Sequence, residues 1–322
     1  MEKASDTKIQ PPVSYPTLKK RRKHGKMTSS FTGRLAHLSW VIFFTLPALI
    51  PLSIFWVWPM LYSLYISFTD WDYMSPTYNL VGLQNYRNLL GDEAFFQALL
   101  NTVYFTAGSV VPTIAGGLLL AMLLHKKIRG GSIYQMILFS PWVTPTVAVS
   151  IVWSWIYEPE VGLANWALSL FHLPPLEWTG SMEWAMPAIL IVTIWKGVGW
   201  AMIFYLGALK KVPEELYESA SLDGGSGWKT FRNITLPLIS PTTFFLVIIM
   251  TVEAIQAYDQ IQVLTQGGPA GSTRTILYMY YQSAFEQFNM GQATAVATIL
   301  VILTAFLSLI QFWTSKRWVH YQ

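Results

Sequence analysis

Long apolar runs alternate along this chain with short polar segments. Six runs stand out, near Leu38–Phe68, Phe96–His125, Tyr134–Tyr157, Trp184–Leu209, Leu238–Leu264 and Gly291–Thr314. A helix crossing a bilayer needs about 20 mostly apolar residues, because the hydrocarbon core is about 30 Å thick and each residue rises 1.5 Å. Each run meets that length, so the pattern predicts an all-α polytopic membrane protein with six transmembrane helices. Pro47, Pro51, Pro59, Pro112, Pro141 and Pro145 fall inside the runs. Packed neighbours can re-satisfy the backbone groups they free, so each run is expected to cross as one helix.

Composition agrees with that class. Of 322 residues, 53% are hydrophobic and only 12% charged, against about 25% charged in soluble domains. The distribution of cations adds an orientation. With a cytoplasmic N-terminus, the tail 1–37 and the segments 126–133, 210–237 and 315–322 hold eighteen of the 21 Lys/Arg. The opposite segments 69–95, 158–183 and 265–290 hold only Arg87 and Arg274. Positive charge stays inside, so both termini are expected in the cytoplasm of a prokaryotic cell whose plasma membrane the chain spans. The tail 1–37, with its Lys19–Lys26 run, is read as disordered and as a juxtamembrane basic arm rather than a nucleic-acid arm, since an apolar span follows at once. That span, 38–68, is too long for a signal-peptide core and lacks a small-residue cleavage site.

The chemistry of an enzyme is missing. There is no cysteine, no phosphate-cradling Gly-x-x-x-x-Gly-Lys-[Ser/Thr] run, and no Gly-x-Ser-x-Gly elbow. The five histidines never pair at i, i+4, so no metal site is expected.

One polar segment between two spans, Glu214 to Pro241, looks mechanical. Pro213 suits the first position of a helix, and Glu214 and Glu215 suit its first turn through the helix dipole. Pro213, Leu216, Tyr217 and Ala220 share one apolar face, with Glu214, Glu218 and Ser221 on the other side. About ten residues make a helix that is marginal alone in water and needs a partner for that face. Asp223-Gly224-Gly225 stops it, glycine being free to take positive φ. A second short helix is expected from about Ser226 to Leu236, ended or kinked by Pro237. A lever docking on a cytoplasmic protein and a surface-lying amphipathic loop are both compatible with this pattern.

The segment resembles the EAA loop of binding-protein-dependent ABC importer permeases. That loop reads Glu-Ala-Ala, three residues, Gly, nine residues, Ile-x-Leu-Pro; here it is Glu218-Ser219-Ala220, then Gly224, then Ile234-Thr235-Leu236-Pro237. The departures, Ser219 and Gly225, keep the residues small. Two further stretches, Thr265-Gln266-Gly267-Gly268-Pro269 with Ser272-Thr273, and Val81–Leu90, are similar to the outer loops of the sugar-permease branch. The likeness runs from about Leu38 to the end and implies a type I importer transmembrane domain: a first helix at 38–68, five helices over 96–314 with a coupling loop at 210–237, and a C-terminus at 315–322.

By that resemblance the chain is a permease for a di- or oligosaccharide, with a glycerol-phosphate importer as the alternative. Glu214, Glu215, Glu218, Ala220, Asp223, Gly224, Leu236 and Pro237 would couple it to two ATPase subunits, which bind ATP and Mg so that this chain holds no cofactor. A second permease and an extracytoplasmic sugar-binding protein complete the implied assembly, and Gly267, Gly268 and Pro269 would touch the binding protein unless they form an ordinary tight turn. Sugars offer apolar faces and polar rims, so aromatic plates with amides and carboxylates suit them. Trp195, Lys196, Trp200, Glu253, Gln256, Tyr258 and Asp259 supply those types for a substrate path. Lys196 and Glu253 either pair in a bridge or line that path, ions inside membranes being paired or facing water. A membrane enzyme lacks its acidic or metal cluster here; a membrane scaffold or sensor would leave uptake intact when deleted.

Overall fold

The computed structural model describes residues 31–319 except Lys127, with side chains from Trp40 onward. The described residues up to Trp58 form one unit and those from Pro59 another. In the first, α1 (Phe31–Leu52) carries Pro47 and Pro51 and runs into a wide turn at Ser53–Val57. Helix begins at Phe31, inside the segment 1–37 read above as a tail; residues 1–30 lie outside the described residues. The candidate span Trp40–Ile66, which ends with α2 (Trp58–Ile66), is exposed along nearly its whole length, with Ile66 at its end buried.

The second unit is a helical bundle. A short element and a long one follow α2: α3 (Gln84–Leu90), then α4 (Glu93–His125), whose first turn is capped by the Asp92 carboxylate accepting from Ala94 N–H. A broken pair follows, α5 (Gly131–Val143) and α6 (Thr146–Ile156), then α7 (Leu163–Leu170) and the span α8 (Ala185–Leu209). The polar segment holds α9 (Glu214–Leu222), α10 (Gly227–Thr230), a wide turn Phe231–Thr235 and α11 (Leu236–Leu238). The remainder is α12 (Ser240–Ile255), α13 (Asp259–Leu264), α14 (Ile276–Tyr281) with a wide turn at Gln282–Glu286, and α15 (Met290–Ser315). Among the described residues the only β-pairing is the bridge Thr69–Leu80.

Two of the six expected spans are not single helices. The run Tyr134–Tyr157 breaks between α5 and α6 with a bend of 98°. Thr144 precedes Pro145 and takes extended backbone, the conformation a following proline favours. The run Leu238–Leu264 is α12 and α13, separated by a non-helical stretch at Gln256–Tyr258. A 64° bend between Gly227–Leu238 and α12 falls at Ile239, two residues beyond Pro237. The wide turn Phe231–Thr235 lies just before that proline, which lacks an N–H and whose ring crowds the carbonyl four residues back. Among the described residues four helices are long and apolar enough to cross singly, and the total is six where each bent pair counts as one span.

Small residues set the packing. α4 makes its most extensive contact with α8. There a Cβ on Gly117 would sit 2.5 Å from the Ala201 Cβ, and one on Gly199 would run into the Leu138 carbonyl of α5. Lipid gives helices no hydrophobic reason to associate, so close backbone approach and dispersion carry the contact. The core around this crossing includes Ala121, Ala201, Met202, Tyr205 and Leu206.

Candidate functional site

A cavity of about 460 Å3 opens between α4, α8, α12 and the break before α13. It lies within the about 300–1,000 Å3 typical of small-molecule sites. Its wall brings together five of the seven path residues expected from sequence: Lys196, Glu253, Gln256, Tyr258 and Asp259. Gln256 and Tyr258 belong to the non-helical stretch after α12, where irregular backbone at membrane depth is tolerated because it borders a cavity. Ser109 and Thr113 of α4 also line it, but their hydroxyls donate to Phe105 and Ser109 carbonyls one turn back.

The bridge between Lys196 and Glu253 is not formed. The Lys196 ammonium instead donates to the Trp142 carbonyl at 3.0 Å and lies 5.2 Å from the centre of the Trp142 ring. This contact follows from the broken pair. α5 ends at Val143, so its last carbonyls have no helical partner and carry the negative end of the helix dipole. A cation projecting from α8 satisfies one of them, and the indole face adds cation–π attraction. Trp142 was not foreseen from sequence. The Thr144-Pro145 dipeptide was the available signal, because it marks where α5 must stop and leave a carbonyl open.

The other two path residues are elsewhere. Trp195 meets Trp153 edge to face at 5.6 Å. Trp200 stacks on Trp142 at 5.0 Å and packs against Phe204 at 4.7 Å. Neither lines the cavity; Trp200 backs its wall through Trp142, whereas Trp195 is 42% exposed.

At the far end of α8 stands α9. Pro213 is its N-cap, with extended ψ of 131°, rather than its first helical residue. The C-terminus closes through two bonds, Gly225 N–H to Ala220 O at 2.8 Å and Gly224 N–H to Ser221 O at 3.2 Å. This is the Schellman arrangement, which needs a residue of positive φ at its pivot. Gly224 supplies it at φ +71°, although a Cβ there would meet nothing within 4 Å. Backbone conformation alone therefore demands glycine. The Tyr217 hydroxyl bonds Thr235 at 3.1 Å, and Tyr217 packs against the core cluster of Leu206, Leu209 and Ile239. Ser226 caps α10 by accepting from Lys229 N–H.

So anchored, α9 has no buried residue. Glu214, Glu215, Glu218, Asp223 and Gly224 are exposed and Ala220 is half-buried. The apolar face divides: Tyr217 turns inward while Leu216 is 40% exposed, and Leu222 on the other side is 89% exposed. Leu236 and Pro237 stand apart from this exposed set, and Leu236 borders an apolar groove with α4, α12 and α15.

The Gly267-Gly268-Pro269 turn is held mainly from within. Gly267 is buried with φ +76°, and a Cβ there would strike the Tyr278 ring. Thr273 donates to the Gly268 carbonyl at 2.7 Å and shares a 2.8 Å hydroxyl bond with Thr265. The exposed corners are its neighbours Gln266 and Ala270.

Residues 113–320 match the family described as binding-protein-dependent transport system inner membrane component. The chain belongs to this family. Relatives include the trehalose/maltose transport system permease protein MalF of Thermococcus litoralis, 32% identical over 86% of this chain and 94% of that protein. The sn-glycerol-3-phosphate transport system permease protein UgpA of Agrobacterium fabrum is 30% identical over 85% and 94%. A bacterial alginate ABC transporter, crystallised with a periplasmic protein bound to an alginate pentasaccharide, contains a chain of the same fold. Its TM-score is 0.76 at 24% identity, covering 88% of this chain and 96% of that one. As a permease of this family the chain is a membrane component of a transporter. Both the α9 segment and the cavity are built largely or wholly from residues in the matched region.

Proposed function

We propose that this chain is a permease subunit of an ATP-driven importer of an uncharged di- or oligosaccharide, with the cavity around Lys196 on the substrate path. The observation that carries the reading is that one continuous helix, α8, runs from the cavity at Lys196 to the short turn before the exposed, locally locked α9. Displacement of α9 by a docked protein is thereby delivered to the cavity wall. Glu214, Glu215, Glu218, Ala220, Asp223 and Gly224 form the docking set for one of two cytoplasmic ATPase subunits, which bind ATP and Mg. Leu236 and Pro237 act as the hinge above it. The second permease supplies the rest of the path, and an extracytoplasmic binding protein delivers the sugar. Both termini and α9 face the cytoplasm, in line with the distribution of Lys and Arg.

The charge of the wall favours an uncharged cargo over glycerol phosphate. Two carboxylates, Glu253 and Asp259, face the cavity with the single ammonium of Lys196, and that ammonium is already engaged by Trp142. A phosphate dianion would meet net negative charge, whereas sugar hydroxyls can donate to carboxylates and accept from Gln256. The test is uptake by proteoliposomes holding the full transporter, with labelled maltooligosaccharide or glycerol 3-phosphate offered with the cognate binding protein. ATP-dependent accumulation of the sugar is expected. Accumulation of glycerol phosphate alone would replace the cargo assignment. Unimpaired sugar uptake by both the Glu218→Lys and Gly224→Pro variants would reject α9 as the coupling element.

A further inference from the structure

We infer that α7, in the connection between α6 and α8, is a membrane-interface helix whose outer face lies among lipid headgroups, at the end of the bundle opposite α9. The helix LANWALSL contains no charged residue. Its inward side is fixed. Ala164 and Leu168 pack against the core cluster that contains Tyr157, Trp178 and Met186. Asn165, buried at 8% exposure, uses both ends of its amide. It donates to Pro159 O at 2.9 Å and Leu176 O at 3.0 Å, and accepts from Leu176 N–H at 3.0 Å and Trp178 Nε1–H at 2.9 Å. With a saturated polar hub, the helix cannot rotate to hide its other side without breaking these bonds.

That other side is apolar and open. Leu163, Trp166 and Leu170 fall at i, i+3, i+7 and are 58–61% exposed; Phe171 just beyond is 75% exposed. Many other exposed large apolar side chains lie along the spans, where acyl chains cover them. This patch is in a connecting loop, yet it is bolted to span depth. The Tyr157 hydroxyl donates to Ala188 O at 2.9 Å, one turn into α8, and the Tyr157 ring stacks on Trp178 at 5.3 Å. The helix is thus held beside the first turn of a span, where the apolar face of an amphipathic segment with a tryptophan belongs in the interface.

Charge narrows the surface it fits. The segment 158–183 carries Glu158, Glu160, Glu177 and Glu183 and no lysine or arginine. It is matched to zwitterionic headgroups, not to an anionic surface. The occupant is therefore lipid.

The chain has no cysteine, which makes a site-directed test direct. Trp166→Cys, Leu170→Cys and, as a water-facing reference, Glu160→Cys would each be nitroxide-labelled in the full chain, reconstituted in phosphatidylcholine nanodiscs. Collision with oxygen is compared with collision with a water-soluble nickel chelate. At 166 and 170 the oxygen-to-nickel ratio is expected to exceed that at 160 several-fold. A ratio equal to that at 160 would put the face in water and overturn the inference. So would suppression of both collisions, which would mean that protein covers it. Phe171→Cys samples the same face should one of the first two variants fail to insert.

Discussion

The α9 segment and the Lys196 cavity are joined by α8, yet they are held by different kinds of force. α9 is fixed by bonds within its own polar segment: Gly225 to Ala220, Gly224 to Ser221, and Tyr217 to Thr235, 18 positions on. The cavity is assembled from α4, α8, α12 and the end of α5, and its key bond spans 54 positions, from Lys196 to Trp142. A locally determined lever can keep its shape while the bundle around it rearranges. A cavity made of long-range contacts changes shape whenever the helices shift. The contrast suits a machine that takes in force at one end and alters access at the other.

Four substitutions would break or sharpen this contrast. The largest effect is expected from Gly199→Leu, because a side chain there collides with the Leu138 backbone of α5. Overpacking of this kind costs about 1–3 kcal/mol or more, and loss of a stable folded chain should show in a detergent thermal melt. Lys196→Met should come next. It opens the Trp142 carbonyl and leaves Glu253 and Asp259 without a nearby cation, so uptake should fall at least about tenfold, equivalent to about 1.4 kcal/mol, while insertion is retained. Gly224→Val forces a branched residue to φ +71° at a cost of about 1–3 kcal/mol. Limited proteolysis between Leu222 and Trp228 should rise and ATPase co-purification should drop, with Gly224→Asn nearer the parent. The smallest effect belongs to Tyr217→Phe. It removes one partly buried hydrogen bond, worth about 0.5–1.5 kcal/mol, and should loosen α9 in hydrogen exchange without changing exchange at the cavity.

These effects also mark what could be read from residues alone. The short helix α9 and its stop were legible because proline, first-turn glutamates and a glycine pivot act within a single turn. The hidden backbone break was only half legible. Pro112 runs through α4 as part of one helix, while Pro145 ends one helix and starts another, and both looked alike as prolines inside apolar runs. Trp195 and Trp200 have the side chains a sugar wall needs but face the wrong way, since composition does not reveal which side of a helix a neighbour occupies. Lys196 and Glu253 could be matched as opposite charges, but not placed relative to the open Trp142 carbonyl that the ammonium bonds.

The sequence by itself determined that the chain is helical and built for a bilayer, that one short polar helix stands on a glycine pivot between spans, and which polar side chains are carried at membrane depth. Those properties depend on residue type and spacing over a few turns. Only the tertiary structure decided where two of the spans break, which of the expected residues share one cavity, and that Lys196 serves the end of α5. Those outcomes turn on how backbones approach across distant helices, where a few ångströms at Gly117 and Gly199 select the neighbours that each side chain meets.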